Sequence, residues 1–334
     1  MLNNYISVFL SHSSKDKPYV EEFYRKIRTS QVKVWCDKFN IIPGEFILSE
    51  INSGIDQSDI LILFVSKSSL NSSWVKYEWE SYLSQRLSEK KQTYLIPILL
   101  DKIKVPNSLK KFKYLQCDKN DINPTIKELA NAIKAIIIKQ VEEKKGYKTL
   151  EVNDREVIIN KKTTTSERQF IIKVLKSDLI TLEFHQWQIH PGKIELIRIS
   201  IVDHATNKMI EHKAKIVSHS KTAMHVTCEF KPKHLDQIIS AYFHISADNY
   251  YKNIFSNGYS QMDFLMRFPI SSYSYLMAIP RLKEFENITV EALYRKRKVK
   301  MAMIKTVMER VYNLKLDNIL PLDELTIIAN SKST

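Results

Sequence analysis

Trp74 and Glu78, an aromatic residue and a carboxylate, stand four positions apart in the sequence. They follow the uninterrupted apolar run Ile60–Val65, which predicts a strand buried on both faces of a parallel sheet. On a helix that begins near Trp74, the two side chains share one face, at the sheet edge where open α/β folds bind ligands. An aromatic surface beside a carboxylate suits a sugar-nucleotide substrate.

A polar loop is expected after the first strand, which we predict over residues 5–10. Its hydroxyl and backbone N–H groups, ahead of a helix, are well placed to hold a phosphate. The alternative is that its serines cap the helix, and both roles are compatible. The loop residues are Ser11, His12, Ser13, Ser14, Lys15 and Asp16.

The elements that position these groups alternate between strands and helices. We predict strands at residues 5–10, 32–36, 60–65, 93–100 and 112–117, and helices at 17–30, 47–55, 74–89 and 126–141. This alternation predicts an α/β domain built on a doubly wound parallel sheet of about five strands. With five glycines in the chain, a Gly-rich dinucleotide cradle is not expected.

Three segments, in this order, resemble the Toll/interleukin-1 receptor (TIR) domain family. Residues 5–16 are similar to its opening strand and loop, and residues 32–37 with 42–45 to its second strand and BB loop. The third segment is the Trp74-x-x-x-Glu78 pattern. The resemblance covers residues 1 to about 140 and implies the flavodoxin-like TIR fold with five parallel strands.

The resemblance also implies an activity, because some TIR domains cleave NAD+. Glu78 aligns with the catalytic glutamate of those members, with Glu80 as the second choice. Nicotinamide leaves as a neutral molecule, so the carboxylate would stabilise the positively charged, oxocarbenium-like ribose. The alternative is a solvated helix carboxylate. NAD+ would be the substrate, no cofactor is expected, and hydrolysis and cyclisation both remain open.

Further residues take a substrate-binding role by resemblance. For Trp74 the two interpretations are stacking on the adenine or packing of the helix start, and for Phe9 the alternative is a core position. The substrate-binding set is Phe9, Ser11, His12, Ser13, Ser14, Asp37, Phe46 and Trp74.

Pro43 and Gly44 predict a fixed turn, because proline sets φ and glycine accepts positive φ. The segment resembles the BB loop through which TIR domains contact one another. The resemblance implies a homo-oligomer in which a neighbouring protomer completes the active site. The alternative is a surface loop without a partner.

The second half of the chain changes character. We predict a TIR domain at residues 1–141, a charged linker at 142–148 and a β-rich sensor or assembly domain at 149–334 that ends in helices. A hairpin is predicted around Asn153 and Asp154, and strands at 170–175, 179–184, 194–202, 209–217 and 224–230 indicate an α+β domain rich in antiparallel strands. Helices are predicted from Pro232, with an apolar stripe through Phe243, and over residues 288–314.

Two sets of polar residues in the second half invite other functions. Histidines concentrate there, but none has the tight spacing of a metal site, so we predict polar-face residues and no metal. They are His185, His190, His204, His212, His219, His225, His234 and His244. The basic residues 295–298 with Lys300 are assigned to the solvated face of the predicted helix rather than to a nucleic-acid site.

Bulk properties fit a cytoplasmic protein. The chain has 334 residues, a net charge of +14 and three scattered cysteines without CxxC spacing. No signal peptide or membrane span is expected, and the N-terminus enters a strand at once. The basic excess is spread over both halves, so a nucleic-acid partner is conceivable but not favoured.

The sequence therefore favours a bacterial TIR NAD+ glycohydrolase, activated by oligomerisation through the C-terminal domain. An unknown ligand, such as a nucleotide signal, would trigger it in antiphage defence. The alternatives are a non-catalytic TIR adaptor that recruits other TIR domains, and an effector activated by nucleic acid.

Overall fold

The structure is a computed structural model, which describes residues 6–29, 32–36, 58–70, 94–107, 109–187, 191–266, 269–320 and 323–331. It divides into two compact parts, the N-terminal unit (residues 1–137) and the strand-rich unit (residues 138–334). The predicted boundaries at residues 141, 142, 148 and 149 stay predictions. Within the described ranges, none of the helices combines the length and the apolar content needed to cross a membrane.

The N-terminal unit alternates strands with helices, as predicted. Its strands are β1 (Ile6–Ser11), β2 (Val32–Trp35), β3 (Ile60–Val65), β4 (Tyr94–Leu99) and β5 (Leu115–Gln116). Its helices are α1 (Lys17–Ile27), α2 (Lys67–Leu70) and α3 (Asn123–Lys145), the last of which runs on past residue 137. The predicted helices at 47–55 and 74–89 lie outside the described residues.

The five strands form one parallel sheet in the order β2-β1-β3-β4-β5. Both faces of β3 are covered: Ile60, Ile62 and Phe64 join one apolar cluster, and the alternate side chains join a second cluster. The first cluster includes residues of α1 and α3. The predicted α/β fold with a parallel five-stranded sheet is confirmed.

Besides the end of α3, the strand-rich unit contains one described α-helix, α4 (Lys252–Asn257), and fourteen described strands. The strands are β6 (Tyr147–Ile158), β7 (Thr163–Val174), β8 (Ile180–Trp187), β9 (Ile194–Asp203), β10 (His212–His219), β11 (Ala223–Phe230), β12 (Ile238–Asp248), β13 (Tyr259–Leu265), β14 (Ile270–Pro280), β15 (Ile288–Tyr294), β16 (Arg297–Val299), β17 (Ala302–Lys305), β18 (Glu309–Ile319) and β19 (Glu324–Ser331).

These strands build three sheets around one apolar core. The sheets run β10-β11-β8, β17-β18-β14-β6-β7-β12-β9 and β13-β19-β15-β16. The described pairings are antiparallel except for β6 with β14, which is parallel. The prediction of a second domain rich in antiparallel strands is confirmed.

The predicted hairpin around Asn153 and Asp154 is wrong. Strand β6 passes through both residues, and the chain reverses between β6 and β7 instead. Val152, Asp154 and Glu156 are buried with period 2, so the carboxylates belong to the inward face of a strand. Asn and Asp favour turns because their side chains can hydrogen-bond to the local backbone, whereas Asp154 instead bonds to Arg168 and Tyr273.

The helix predicted from Pro232 is also wrong, because strand β12 occupies residues 238–248. Its burial alternates through Ala241, Phe243 and Ile245, all 0% exposed, which is the period of a strand. The apolar residues between them, such as Tyr242, are half-buried on the other face. Apolar residues on both faces imitate the spacing of a helix.

The helix predicted over residues 288–314 is replaced by strands β15 to β18. Arg295 and Lys296 both have positive φ, 50° and 63°, and form the two-residue turn of the β15–β16 hairpin. Asp323 holds this turn, because its carboxylate accepts from Arg295 Nε at 2.8 Å and Nη2 at 2.7 Å. The basic cluster therefore lies on a hairpin, not on a helix.

Two buried carboxylates are held inside the strand-rich unit. Asp154 accepts hydrogen bonds from Arg168, with Nη2 at 2.6 Å, and from the Tyr273 hydroxyl at 2.7 Å. Glu156 accepts from Tyr275 at 2.8 Å and also from Tyr251. Burial raises the pKa of Glu156 from 4.5 to about 7, although both tyrosine hydrogen bonds act to lower it.

The raised pKa makes the stability of this unit depend on pH. The folded state binds the Glu156 proton more tightly than the unfolded state, so this stabilisation is complete below pH 4.5 and is lost as pH rises to about 7. Glu156→Gln cannot lose a proton. We expect its free energy of unfolding, relative to wild type, to improve by about 3 kcal/mol between pH 4 and pH 8.

Hydrogen exchange of peptides from β6, compared between variant and wild type at each pH, measures this difference. The control is Glu151→Gln, an exposed carboxylate on the same strand. A Glu156→Gln difference that stays constant over the pH range contradicts the assignment.

Candidate active site at the carboxyl edge of the sheet

In the order β2-β1-β3-β4-β5, the chain first builds the sheet toward one side and then toward the other. This switch point lies between β1 and β3. Open α/β sheets of this order bind ligands beyond the carboxyl ends of the strands at that point. The residues after β1, β3, β4 and β5 all lie at this edge, because the four strands are parallel. The edge is therefore the first place to look for a site.

A hydrogen bond joins the two loops that flank this point. The Ser66 hydroxyl, directly after β3, donates to Asp16 Oδ2 at 2.6 Å. Asp16 is 3% exposed and Ser66 is 1% exposed. Burial raises the pKa of Asp16 above its usual 3.8, while the Ser66 hydrogen bond and the charge of Lys119 act to lower it. Asp16 therefore positions the loop rather than contacting a ligand.

Ser66 also fixes the start of α2. Its backbone N–H donates to Ser69 Oγ at 2.7 Å, and its own Oγ accepts from the Ser69 N–H at 3.0 Å. Asp101, after β4, accepts from the Lys67 N–H at 2.9 Å. Residues that follow both neighbouring strands, Asp16 after β1 and Asp101 after β4, thus fix the segment that follows β3. This segment leads to residues 71–93.

Lys119 brings a positive charge to this edge, after β5. Its Nζ lies 2.7 Å from Asp101 Oδ1 and 5.2 Å from the centre of the Tyr19 ring. The hydrogen bond from Lys119 and the Lys67 N–H lower the pKa of Asp101. With Asp101 25% and Lys119 31% exposed, this ion pair is accessible to solvent, unlike Asp16.

The four predicted residues of the first loop differ in their exposure to solvent. Ser11, His12 and Ser13 are buried, with 1%, 8% and 7% exposed, whereas Ser14 is exposed. Ser13 Oγ accepts from the Lys15 N–H at 3.4 Å, at the start of a short 3-10 turn over Ser14–Asp16. The capping alternative is therefore present, and the phosphate-binding role stays a prediction.

Phe9 lies within the sheet's second apolar cluster and is 1% exposed. Its ring stacks on Trp35 of the neighbouring strand, with centroids 4.6 Å apart and planes 9° from parallel. This is a packing position, and its predicted role in substrate binding stays a prediction. Six other predicted residues lie outside the described residues: Asp37, Pro43, Gly44, Phe46, Trp74 and Glu78.

Sequence reasoning did not single out Ser66, Asp101 or Lys119. Ser66 and Asp101 could have been found from the sequence, because each directly follows the apolar run of a predicted parallel strand, where ligands bind. Lys119 follows a strand of two residues, Leu115–Gln116, which gives no comparable pattern.

The Asp16–Ser66 hydrogen bond should contribute measurably to local stability. Ser66→Ala leaves a buried carboxyl group without its donor, which costs about 1–3 kcal/mol. We expect faster hydrogen exchange in peptides covering β1 and β3 of the full chain. Ser14→Ala, an exposed serine of the same loop, is the matched control. Equal exchange in the two variants would show that the bond does not hold the loops together.

Comparison with known proteins agrees with this architecture. Residues 8–130 match the TIR domain family. The protein named "NAD(+) hydrolase TirS", from Staphylococcus aureus (strain MSSA476), is 34% identical over 92 residues, which cover 27% of this chain and 32% of that protein. "Probable 2' cyclic ADP-D-ribose synthase TcpO", from Methanobrevibacter olleyae, is 30% identical over 95 residues, or 28% of this chain and 27% of that protein.

The chain thus spans about a third or less of the length of the curated relatives it matches. Among solved structures, the TIR domain of the Toll-related receptor TRR-2 from Hydra magnipapillata is 22% identical. That match covers 39% of this chain and 96% of the domain, with a TM-score of 0.33. Residues 8–130 of the chain are a TIR domain, and a strand-rich region follows it.

Proposed function

We propose that the chain is an NAD+ glycohydrolase that releases nicotinamide from NAD+. The observation that carries the proposal is the match of its TIR domain, over 92 and 95 residues, to relatives named as an NAD(+) hydrolase and a 2' cyclic ADP-D-ribose synthase. A polar edge at the switch point of the sheet supports it, because a nucleotide binds there in folds of this order.

Glu78 is the proposed catalytic residue. It follows β3, whose exit is fixed by the hydrogen bonds of Ser66 to Asp16 and Ser69. As the bond from ribose C1′ to the nicotinamide nitrogen breaks, the bonding electron pair leaves with neutral nicotinamide and the ribose becomes cationic. A carboxylate beside the ribose stabilises that cation more than it stabilises the ground state.

The product depends on which nucleophile reaches C1′. Water gives ADP-ribose and releases a proton, whereas a hydroxyl of the same molecule gives a cyclic product. The names of the relatives include both outcomes. For this chain, we propose hydrolysis, accompanied by an ADP-ribosyl cyclase activity.

Activation is proposed to follow from assembly. The Pro43-Gly44 turn would contact a neighbouring TIR domain, and the strand-rich unit would bring the copies together when it binds a ligand such as a nucleotide signal. NAD+ depletion by an assembled cytoplasmic enzyme would serve antiphage defence.

The catalytic assignment predicts the effect of one substitution. Glu78→Gln keeps the size of the side chain and removes the charge, so we expect nicotinamide release from NAD+ to fall by at least about 100-fold. The measurement is chromatographic separation of nicotinamide, ADP-ribose and cyclic products over time. Glu80→Gln is the matched control, because on the helix predicted from the sequence residue 80 would lie on a different face from residue 78.

Full activity in Glu78→Gln would remove the catalytic assignment. Loss of activity in Glu80→Gln alone would move the role to that residue. A chain that assembles but releases no nicotinamide would indicate the non-catalytic adaptor.

Assembly predicts a second outcome. Specific activity should rise with protein concentration, because separate subunits would hold incomplete sites. Size-exclusion chromatography at the same concentrations should show a parallel increase in size. Specific activity that is constant while the chain remains monomeric contradicts activation by assembly, and leaves the glycohydrolase proposal intact.

A further inference from the structure

Three metal-ligating side chains meet on neighbouring strands of the strand-rich unit. Glu183 and His185 lie two residues apart on β8, and His225 lies on β11 directly opposite His185. One ligand atom from each residue lies within 4.8 Å of the others. Direct cross-strand neighbours have Cβ atoms about 4.5–5.5 Å apart, which is why register alone brings the two imidazoles together.

The cluster lies on the face of the sheet that is turned away from the core. The alternate side chains of both strands, such as Phe184 and Val226, are 2% and 0% exposed and belong to the apolar core. Glu183 is exposed, and the two histidines are half-buried. The cluster therefore lies outside the apolar core of the unit.

The imidazole rings are already in contact. His185 and His225 stack with centroids 3.9 Å apart and planes 14° from parallel. His225 Nε2 is buried and has no hydrogen-bond partner in the described part of the chain. A buried nitrogen in that state carries a desolvation cost that a bound ligand would remove. The Glu183 carboxylate stands nearby, with Oε2 3.9 Å from His185 Nε2.

We propose that Glu183, His185 and His225 bind a zinc ion. Two imidazoles and one carboxylate form a ligand set that zinc sites use when one position stays open. The donors of a tetrahedral ion with bonds of about 2.0–2.1 Å lie roughly 3.4 Å apart, so both imidazoles must rotate out of their stacked arrangement to direct a nitrogen at one ion. Water or a small anion would supply the fourth ligand of such an ion.

A stacked histidine pair without a metal is the simpler interpretation, but it leaves two observations unexplained. It gives the buried His225 nitrogen no partner, and it assigns no role to Glu183. The unit provides a contrasting case on β7 and β12, where His244 Nε2 lies 2.9 Å from Glu167. There an arginine, Arg198, approaches the same nitrogen at 3.3 Å, and its guanidinium repels a cation.

The cysteine thiols do not compete for the ion. The three cysteines, Cys36, Cys117 and Cys228, are all buried, and burial raises the pKa of Cys228 to about 12. Zinc binds the thiolate rather than the thiol. Although Cys228 lies on the same strand as His225, its side chain joins the apolar core.

Zinc titration of the chelator-treated full chain, followed by calorimetry, tests the proposal. We expect one ion per chain, and a melting temperature of the strand-rich unit that rises with zinc concentration because the ion binds the folded state. Loss of any one ligand should weaken zinc affinity by at least about 10-fold, because even loss of a group that only hydrogen-bonds to a ligand lowers metal affinity by that much. The variants are His225→Gln, His185→Gln and Glu183→Gln. His244→Gln is the matched control and should bind zinc as the wild type does.

Glu183→Gln keeps the test valid if a histidine variant fails to fold, because its side chain is 45% exposed and outside the core. Substitution of cobalt for zinc adds a second measurement. The visible absorption of the bound cobalt ion reports its ligand set and should change in Glu183→Gln. Absence of stoichiometric zinc uptake overturns the proposal. So does equal weakening in His244→Gln and Glu183→Gln, which would indicate non-specific uptake.

Discussion

The N-terminal unit depends on one strand that is covered on both faces. All six side chains of β3 are at most 2% exposed, so apolar layers must lie on both sides of it and a paired strand along each edge. This constraint puts β3 in the middle of the sheet and sets its carboxyl end beside the loop that follows β1. The Ser66–Asp16 hydrogen bond is then a local consequence of where β3 ends.

Much of this unit could be predicted from sequence because its signal is local. A continuous apolar run such as Ile60–Val65 has one stable placement in a parallel sheet, and the structure gives it the predicted bounds. Helix α1 was also predicted, and it ends at Ile27, three residues earlier than expected. The site is harder to predict in this way, since Lys119 follows a strand of only two residues and reaches the site through the order of the strands.

In the strand-rich unit, the period of the apolar residues was misleading. Strand β12 has apolar residues on both faces, so its spacing satisfies the pattern of a helix as well as that of a strand. At Arg295 and Lys296, residue types gave no turn signal, because positive φ usually falls to glycine or asparagine. The Asp323 carboxylate, far along the chain, compensates through two hydrogen bonds to Arg295.

Long-range register also explains the polar groups inside this unit. Asp154 stands opposite Arg168 in the β6–β7 pairing, as His185 stands opposite His225 in the β8–β11 pairing. In both cases, residues that are unrelated in sequence become neighbours only when the register is fixed, and a slip of one residue would turn each side chain to the opposite face. The Arg168–Asp154 pair penalises such a slip, since Asp154, whose side chain is 6% exposed, would be a buried and uncompensated charge without Arg168. The Arg168–Asp154 pair cannot be predicted from sequence patterns, yet it helps to fix the register of the sheet in which it lies.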